Sequence, residues 1–391
     1  MKIVIIIIVA LLSGTSSLAS QVLEIPFELK NDIVLVDLKI NDKDTTNTFI
    51  LDTGASTDVL DSNVAKQLGL KGDFKQDIRG AGGITTVDIV MNQSYALNHT
   101  ITIDNVMFVL LDLVKLRGKL EQNFDGIIGY SLLRNRVTKI DYDNQKLQFY
   151  NSIKEIDTAG YTAIPFQLKN GSPIPQFDIS ITLNNGETLS GTIFFDSGAA
   201  LTLSINTPYN KQKRIRQKVD RSITNETQNF NTTSVSDVIA IKSMSIGDFK
   251  LDEMTVSLAN DEEGVSSYKG YLGLLGAKVI SRFNVILDYN AFNLYLQPNT
   301  NYSKPFEFPM SGITLSKDED NIMVKSITEI SEAYQKGIEK GDKLISINGT
   351  TTKDIETYRE LLKQEGKMCQ LVLETKNGTR KEVTITLKRL L

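Results

Sequence analysis

Phe49-Ile50-Leu51-Asp52-Thr53-Gly54-Ala55 and Ile193-Phe194-Phe195-Asp196-Ser197-Gly198-Ala199 are one pattern written twice: three apolar residues, an aspartate, a hydroxyl residue, a glycine and an alanine. The match extends outward in both directions. Ile25-Pro26-Phe27-Glu28-Leu29-Lys30-Asn31 returns as Ile164-Pro165-Phe166-Gln167-Leu168-Lys169-Asn170. Gly126-Ile127-Ile128-Gly129 returns as Gly273-Leu274-Leu275-Gly276, and Asp141-Tyr142-Asp143 as Asp288-Tyr289-Asn290. The offset is 139 residues at the first match, 144 at the aspartates and 147 at the last two. Four matches in one order mean two copies of one folding unit. The copies span residues 21–152 and 160–299, each an ordinary domain size.

Within each copy the pattern is that of a β-protein. Runs such as Ile33-Val34-Leu35-Val36-Asp37-Leu38-Lys39-Ile40 are β-branched and are separated by Asn, Asp and Gly turns. Helices are brief; 62–68, opening on Ser62 as cap, and 130–135 are expected.

Composition removes whole classes of function. The chain has 391 residues, with 43 Lys+Arg against 47 Asp+Glu and a net charge of −4, so it lacks the broad basic surface that nucleic acid needs. His99 is the only histidine, which removes His-Glu-x-x-His metalloproteases and Cys/His zinc sites. A Ser/His/Asp triad would have to be built on His99, whose setting reads as a turn before a strand. Cys369 is also alone, so no disulfide or Cys-x-x-Cys pair can form within the chain, and its apolar strand makes it a small buried hydrophobe. Carboxylates, hydroxyls and amines are left to do any chemistry.

The two Asp-[Thr/Ser]-Gly-Ala segments, each followed 70 to 80 residues later by an apolar-apolar-Gly, resemble the retropepsin-like aspartyl proteases, fused in tandem as in the pepsin-like arrangement. The resemblance covers about residues 21–299. It implies a mainly β, bilobal acid-protease fold, a double β-barrel with Asp52 and Asp196 as the catalytic pair at the base of a cleft. Thr53 and Ser197 would hydrogen-bond across to the opposite lobe. Gly54 and Gly198 would allow the sharp turn and close backbone approach, and Ile127-Ile128-Gly129 and Leu274-Leu275-Gly276 would pack beneath. The implied reaction is peptide hydrolysis by a water held between the aspartates, which needs no metal and no cofactor. Pepsin-like enzymes usually carry Ser or Thr where this chain has Ala55 and Ala199. Loss of that hydroxyl predicts a higher first pKa and a mildly acidic to near-neutral optimum.

By position, Arg79-Gly80-Ala81-Gly82-Gly83-Ile84 matches the family's flap, a hairpin that folds over bound peptide. The corresponding stretch of the second copy, 211–235, is polar, lacks glycine and carries Lys211, Lys213, Arg214, Arg216, Lys218 and Arg221. It reads as a solvated face without a flap, with a preference for acidic substrates as the functional alternative. Asp125 precedes a glycine, but Leu272 holds its place in copy two, so it reads as a turn residue.

After a polar connection at 297–301 the pattern becomes mixed α/β. Ala333, Gly337-Ile338, Gly341-Asp342, Leu344 and Ile347-Asn348-Gly349 form a pattern that resembles a bacterial protease-associated PDZ domain, over 303–391. The resemblance implies a peptide groove walled by a helix from about 353 to 364, with Gly312-Ile313-Thr314-Leu315 receiving a chain's C-terminal carboxylate.

Residues 1–20 read as a signal peptide: a positive start, an apolar run at 3–12 too short to span a bilayer, and small residues at 17–20. An exported, periplasmic or secreted monomer without a stable membrane anchor is expected, acting on peptide or protein substrates. About two residues separate the export segment from the first strand, so direct folding into the active form is expected. The rival reading is a catalytically silent peptide-binding scaffold.

Overall fold

The computed structural model describes residues 23–80, 83–98, 101–228 and 233–391. The expected signal peptide and His99 lie outside these. Among the described residues no helix is long and apolar enough to cross a membrane.

In the first copy six strands close into a barrel. Ile33–Ile40, Thr46–Leu51, Gly126–Ile128, Asp58–Asp61, Ile101–Leu111 and Gly83–Leu97 pair in that order, and Lys39↔Ala96 and Ile40↔Tyr95 close the ring. Alternate residues of Ile33–Ile40 feed different buried clusters, which is why the run is apolar nearly throughout. A two-residue turn with positive φ at Asn31 (51°) and Asp32 (66°) leads into that strand, the conformation that tight hairpins need.

The second copy repeats the ring with Gln176–Leu183, Thr188–Phe195, Gly273–Leu275, Leu203–Ile205, Met254–Ala259 and Thr233–Ile246, closed at Ile181↔Met244. Between the barrels runs a six-stranded sheet to which each copy gives three strands. Val137–Asp141 of the first pairs with Phe283–Asp288 of the second, through Thr138↔Leu287 and Ile140↔Val285. The repeated Ile-Pro strands, Leu23–Pro26 and Thr162–Pro165, lie at its two outer edges. One hydrophobic cluster runs from barrel to barrel through this sheet.

The C-terminal region has its own core. Five antiparallel strands run in the order Ile313–Asp318, Asn321–Ile327, Lys343–Ile347, Met368–Glu374 and Arg380–Thr386. Helices Glu332–Gln335 and Ile355–Leu361 accompany them, and Cys369 is buried.

Several helix expectations need trimming. The helix expected at 62–68 is Ser62–Gln67 and its cap is Asp61, whose carboxylate accepts from Asn63 N at 2.9 Å and Val64 N at 3.2 Å. A charged acceptor one residue earlier outcompetes the Ser62 hydroxyl. The helix expected at 130–135 is Tyr130–Leu133, and that at 353–364 is Ile355–Leu361, capped by Asp354.

Candidate active site

Each Asp-hydroxyl-Gly-Ala turn follows the end of a barrel strand and rests on the repeat's second glycine motif. Thr46–Leu51 runs parallel to Gly126–Ile128, and Asp52 N donates to Ile128 O at 2.8 Å. In copy two, Thr188–Phe195 runs parallel to Gly273–Leu275, and Asp196 N donates to Leu275 O at 3.0 Å. A Cβ on Gly129 would stand 2.2 Å from Asp52 O, and one on Gly276 would stand 2.6 Å from Ala199 O. The turns leave room for no side chain there, which gives the distal glycines their physical reason.

Four buried hydrogen bonds tie the two turns together. Thr53 N donates to Ser197 Oγ and Ser197 N to Thr53 Oγ1, both at 3.0 Å. The hydroxyls pass the connection on, Thr53 Oγ1 to Phe195 O at 2.8 Å and Ser197 Oγ to Leu51 O at 3.0 Å. Each hydroxyl thus both donates and accepts across the crossing, with Thr53 and Ser197 at most 2% exposed.

Asp52 and Asp196 meet above this crossing. A Cβ on Gly198 would lie 2.3 Å from Asp52 Cγ, and one on Gly54 would lie 2.5 Å from Asp196 Cγ. Each carboxyl therefore occupies the space that the opposite glycine leaves free. Gly54 N donates to Asp52 Oδ1 at 2.7 Å and Gly198 N to Asp196 Oδ1 at 3.0 Å. Both side chains keep a face to the cleft while protein atoms surround the rest. That burial raises both carboxyls above the ordinary aspartate range, and the charge of Asp52 pushes Asp196 well above it. Backbone N–H groups of Gly54, Gly198 and Ala55 favour the ionised form of Asp52. Each carboxyl is among the groups that shift the other, so the two titrations are linked.

A second buried aspartate lies next to this floor. Asp58, 1% exposed, accepts from Gly129 N at 3.2 Å and from Ser131 Oγ at 2.5 Å, and Ser131 Oγ lies 2.8 Å from Tyr95 OH. Burial pushes the Asp58 carboxyl up to about 6. Asp58 was not legible as a special residue, because its counterpart Thr202 is uncharged and its partners lie far along the chain.

The cleft opens on one side of the dyad into a cavity of about 670 Å³. Phe194, Tyr268, Ile174 and Leu274 give it an apolar wall, and Lys169 and Lys269 stand on it exposed. Residues 168–175 form a loop where copy one has its tight Asn31-Asp32 turn. Asn170 Nδ2 donates to Tyr271 OH at 2.8 Å, and Tyr271 OH donates to Gln176 Oε1 at 3.1 Å, which pins that loop. The growth of the repeat offset between the first two matches was the sequence signal for this insertion.

Of the expected flap, Gly80 and Gly83 pair with each other at the end of a hairpin formed by Phe74–Gly80 and Gly83–Leu97; Ala81 and Gly82 lie outside the described residues. The expectation that copy two has no such hairpin is corrected. Ile223–Gln228 pairs with Thr233–Ile246 at the corresponding place, since backbone pairing between β-branched strands needs no glycine. The basic run falls earlier, on helix Thr207–Lys213 and the turn Ile215–Lys218. There Lys218 pairs with Glu187 at 2.6 Å and Arg216 with Asp237 at 4.0 Å. Asp125 is a structural acceptor, taking Thr48 N at 3.1 Å and Asn47 Nδ2 at 3.2 Å.

In the C-terminal region Gly312 has φ 72° and a Cβ there would meet Ser331 Cβ at 2.3 Å, so the turn demands glycine. Ile313 N donates to Ser311 Oγ at 3.1 Å, Thr314 is exposed, and Leu315 points into the core. The Ile313 amide is thus already satisfied by a side chain. Among the described residues no cluster of three or more His, Cys, Asp or Glu is arranged to hold a metal ion.

Residues 36–132 match the sequence model of the aspartyl protease family, and residues 323–375 match that of the PDZ domain. No curated protein matches the chain. The first match spans Asp52, Gly54 and Gly129 but stops before copy two, whose likeness rests on the internal repeat and on the same strand pairing. The chain therefore carries an aspartyl protease domain and, C-terminal to it, a PDZ domain.

Proposed function

We propose that the chain is an exported aspartic endopeptidase that hydrolyses peptide bonds with a water activated between Asp52 and Asp196. The observation that carries this reading is the meeting of two buried carboxyls, one from each lobe, each over the other lobe's glycine. Like charges so close cannot both ionise, so one carboxyl is a base while the other is an acid. The ionised member takes a proton from the water, and the protonated member donates to the scissile carbonyl oxygen. The tetrahedral diol then collapses as a proton passes to the leaving amine.

Thr53, Ser197, Gly54 and Gly198 act as positioning residues that hold the pair in register. The first-lobe hairpin, at whose end Gly80 pairs with Gly83, serves as a flap over the bound peptide, and the cavity beside Asp196 receives a substrate side chain. The absence of a hydroxyl at Ala55 and Ala199 and the burial of both carboxyls support a mildly acidic to near-neutral optimum. We assign the site of action to the periplasm or the exterior, from the export segment, and the PDZ domain to recognition of substrate or partner tails.

Cleavage of a mixed peptide library by the mature protein, Asp52→Asn and Asp196→Asn across acidic to neutral pH tests this. Each substitution is expected to lower turnover roughly 10²- to 10⁴-fold, the usual contribution of a general acid or base. Silence from the unsubstituted protein favours the scaffold reading. Activity that survives either substitution refutes the dyad.

A further inference from the structure

The PDZ domain's peptide groove lies between helix Ile355–Leu361 and strand Ile313–Asp318, which pairs on one side only, with Asn321–Ile327. A free strand edge of this kind takes an extended peptide by backbone pairing. Here the groove is a cavity of about 260 Å³, and its walls are not all its own. Lys278 of the second lobe and Phe308 of the connecting segment line it together with Ile313, Leu315 and Arg359.

Arg359 stands across this groove. Its Nη2 donates to Leu315 O, on the edge strand, at 3.3 Å. The same guanidinium grips Glu121 of the first lobe with both arms, Nη2 to Oε1 at 2.6 Å and Nη1 to Oε2. A bidentate pair is the strong, directional form of this interaction. Glu121 is also well placed to keep it: it ends helix Val114–Leu120 in a left-handed conformation, φ 53°. Arg117 of that helix is fixed by Phe124 O at 2.7 Å and by buried Asp61 at 3.2 Å.

We propose that Arg359 is a carboxylate receptor of the peptide groove and that Glu121 fills it from within the molecule, so that the groove yields to an extended peptide that brings its own acidic side chain. A neutral peptide that displaced Glu121 would strip Arg359 of its bidentate partner without replacing it, an unfavourable exchange for a half-buried guanidinium. Glu356, on the same helix, contacts Nη1 alone at 2.6 Å and leaves the second arm open. The rest of the rim favours the same ligand. Lys278 has no ion-pair partner among the described residues, whereas Lys363 is already held by Glu307 and Glu360 at 2.7 and 2.9 Å. Entry of a ligand would release the first-lobe contact only, because Arg389 still pairs with Glu253 of the second lobe at 2.5 Å.

The inference rests on the peptide-groove reading of the PDZ domain and not on the dyad, and binding measured without turnover keeps the two apart. The full chain carrying Asp196→Asn, to prevent cleavage, is titrated with short fluorescein-labelled peptides. These end in Leu with a free carboxylate and differ only in Glu or Gln two residues before it. Adding Glu121→Gln is expected to tighten the Glu peptide roughly three- to tenfold, the scale of a partly exposed ion pair. Adding Arg359→Gln instead is expected to abolish the preference for Glu over Gln, with the thermal unfolding midpoint of the barrels unchanged. Equal affinities with and without Glu121→Gln, or no binding by any of these proteins, would overturn the proposal.

Discussion

Asp58 is a buried acid that accepts from one amide and one hydroxyl, and it sits directly under the glycine that supports Asp52. Its folded-state pKa of about 6 exceeds the ordinary 3.8, so between those values the folded chain binds a proton that the unfolded chain has lost. Stability from this group is therefore full below the ordinary aspartate range and falls as pH rises through that window. Asp58→Asn keeps an acceptor for Gly129 N and cannot ionise. The stability of the natural protein relative to Asp58→Asn is expected to drop between acidic and neutral pH by roughly 3 kcal/mol at most, read from urea unfolding at each pH. The dyad contributes with the same sign to both proteins and cancels in the comparison. A difference that does not change with pH would mean that Asp58 ionises normally. The contrast with the dyad explains what could be read at this scale. Asp52 and Asp196 stand in contiguous strings that carry their own turn, hydroxyl and glycine, whereas the environment of Asp58 comes from Ser131 and Tyr95 and exists only once the chain has folded.

The elements that matter most are the two dyad turns, and their crossing is held by backbone groups as much as by side chains. Thr53→Val is expected to orphan Ser197 N and Phe195 O in a buried place, at about 1–3 kcal/mol for each group, whereas Thr53→Ser keeps both bonds. Unfolding midpoints of the two variants check this; a Thr53→Val midpoint no lower than that of Thr53→Ser, which lacks only the methyl group, would mean that the crossing bonds contribute no more than the packing of that methyl. Turnover should follow the same order, because a loosened crossing lets the carboxyls drift apart. The glycine supports were legible from the repeat and its family resemblance, which place Ile127-Ile128-Gly129 and Leu274-Leu275-Gly276 beneath the turns. The hairpin at 223–246 was not. Glycines at a tip are a sufficient sign of a hairpin and not a necessary one, and the Thr- and Ser-rich ladder Thr224↔Asp237, Asn225↔Ser236 and Thr227↔Ser234 reads as polar surface until its partner strand is known.

At the scale of the whole molecule, the repeat is readable in the sequence but the attachment of the third domain is not, because that attachment is made by single residues that belong to no motif. The connection after strand Asn293–Pro298 reads as a polar linker, yet it is fastened to the second lobe. Tyr302 packs edge-on against Phe249 and Phe283, with ring centroids 6.3 and 5.3 Å away. Arg282 collects the carbonyls of Asn301 and Tyr302 at 3.0 and 3.3 Å, takes that of Lys304 as well, and lies 3.6 Å over the ring of Phe306. One guanidinium thus satisfies carbonyls that a turn of irregular backbone would otherwise leave to water, and charge-assisted bonds of this kind contribute about 1.5–3 kcal/mol each at most. Arg282→Ala is expected to leave both barrels folded while the connecting segment opens locally. Chymotrypsin should then cut after Tyr302 or Phe306 about tenfold faster or more than in the natural protein, releasing an intact PDZ domain. If the variant resists cleavage as well as the natural chain does, the aromatic cluster alone fixes the domain, and the Arg282 contacts are a consequence of the docking and not its cause.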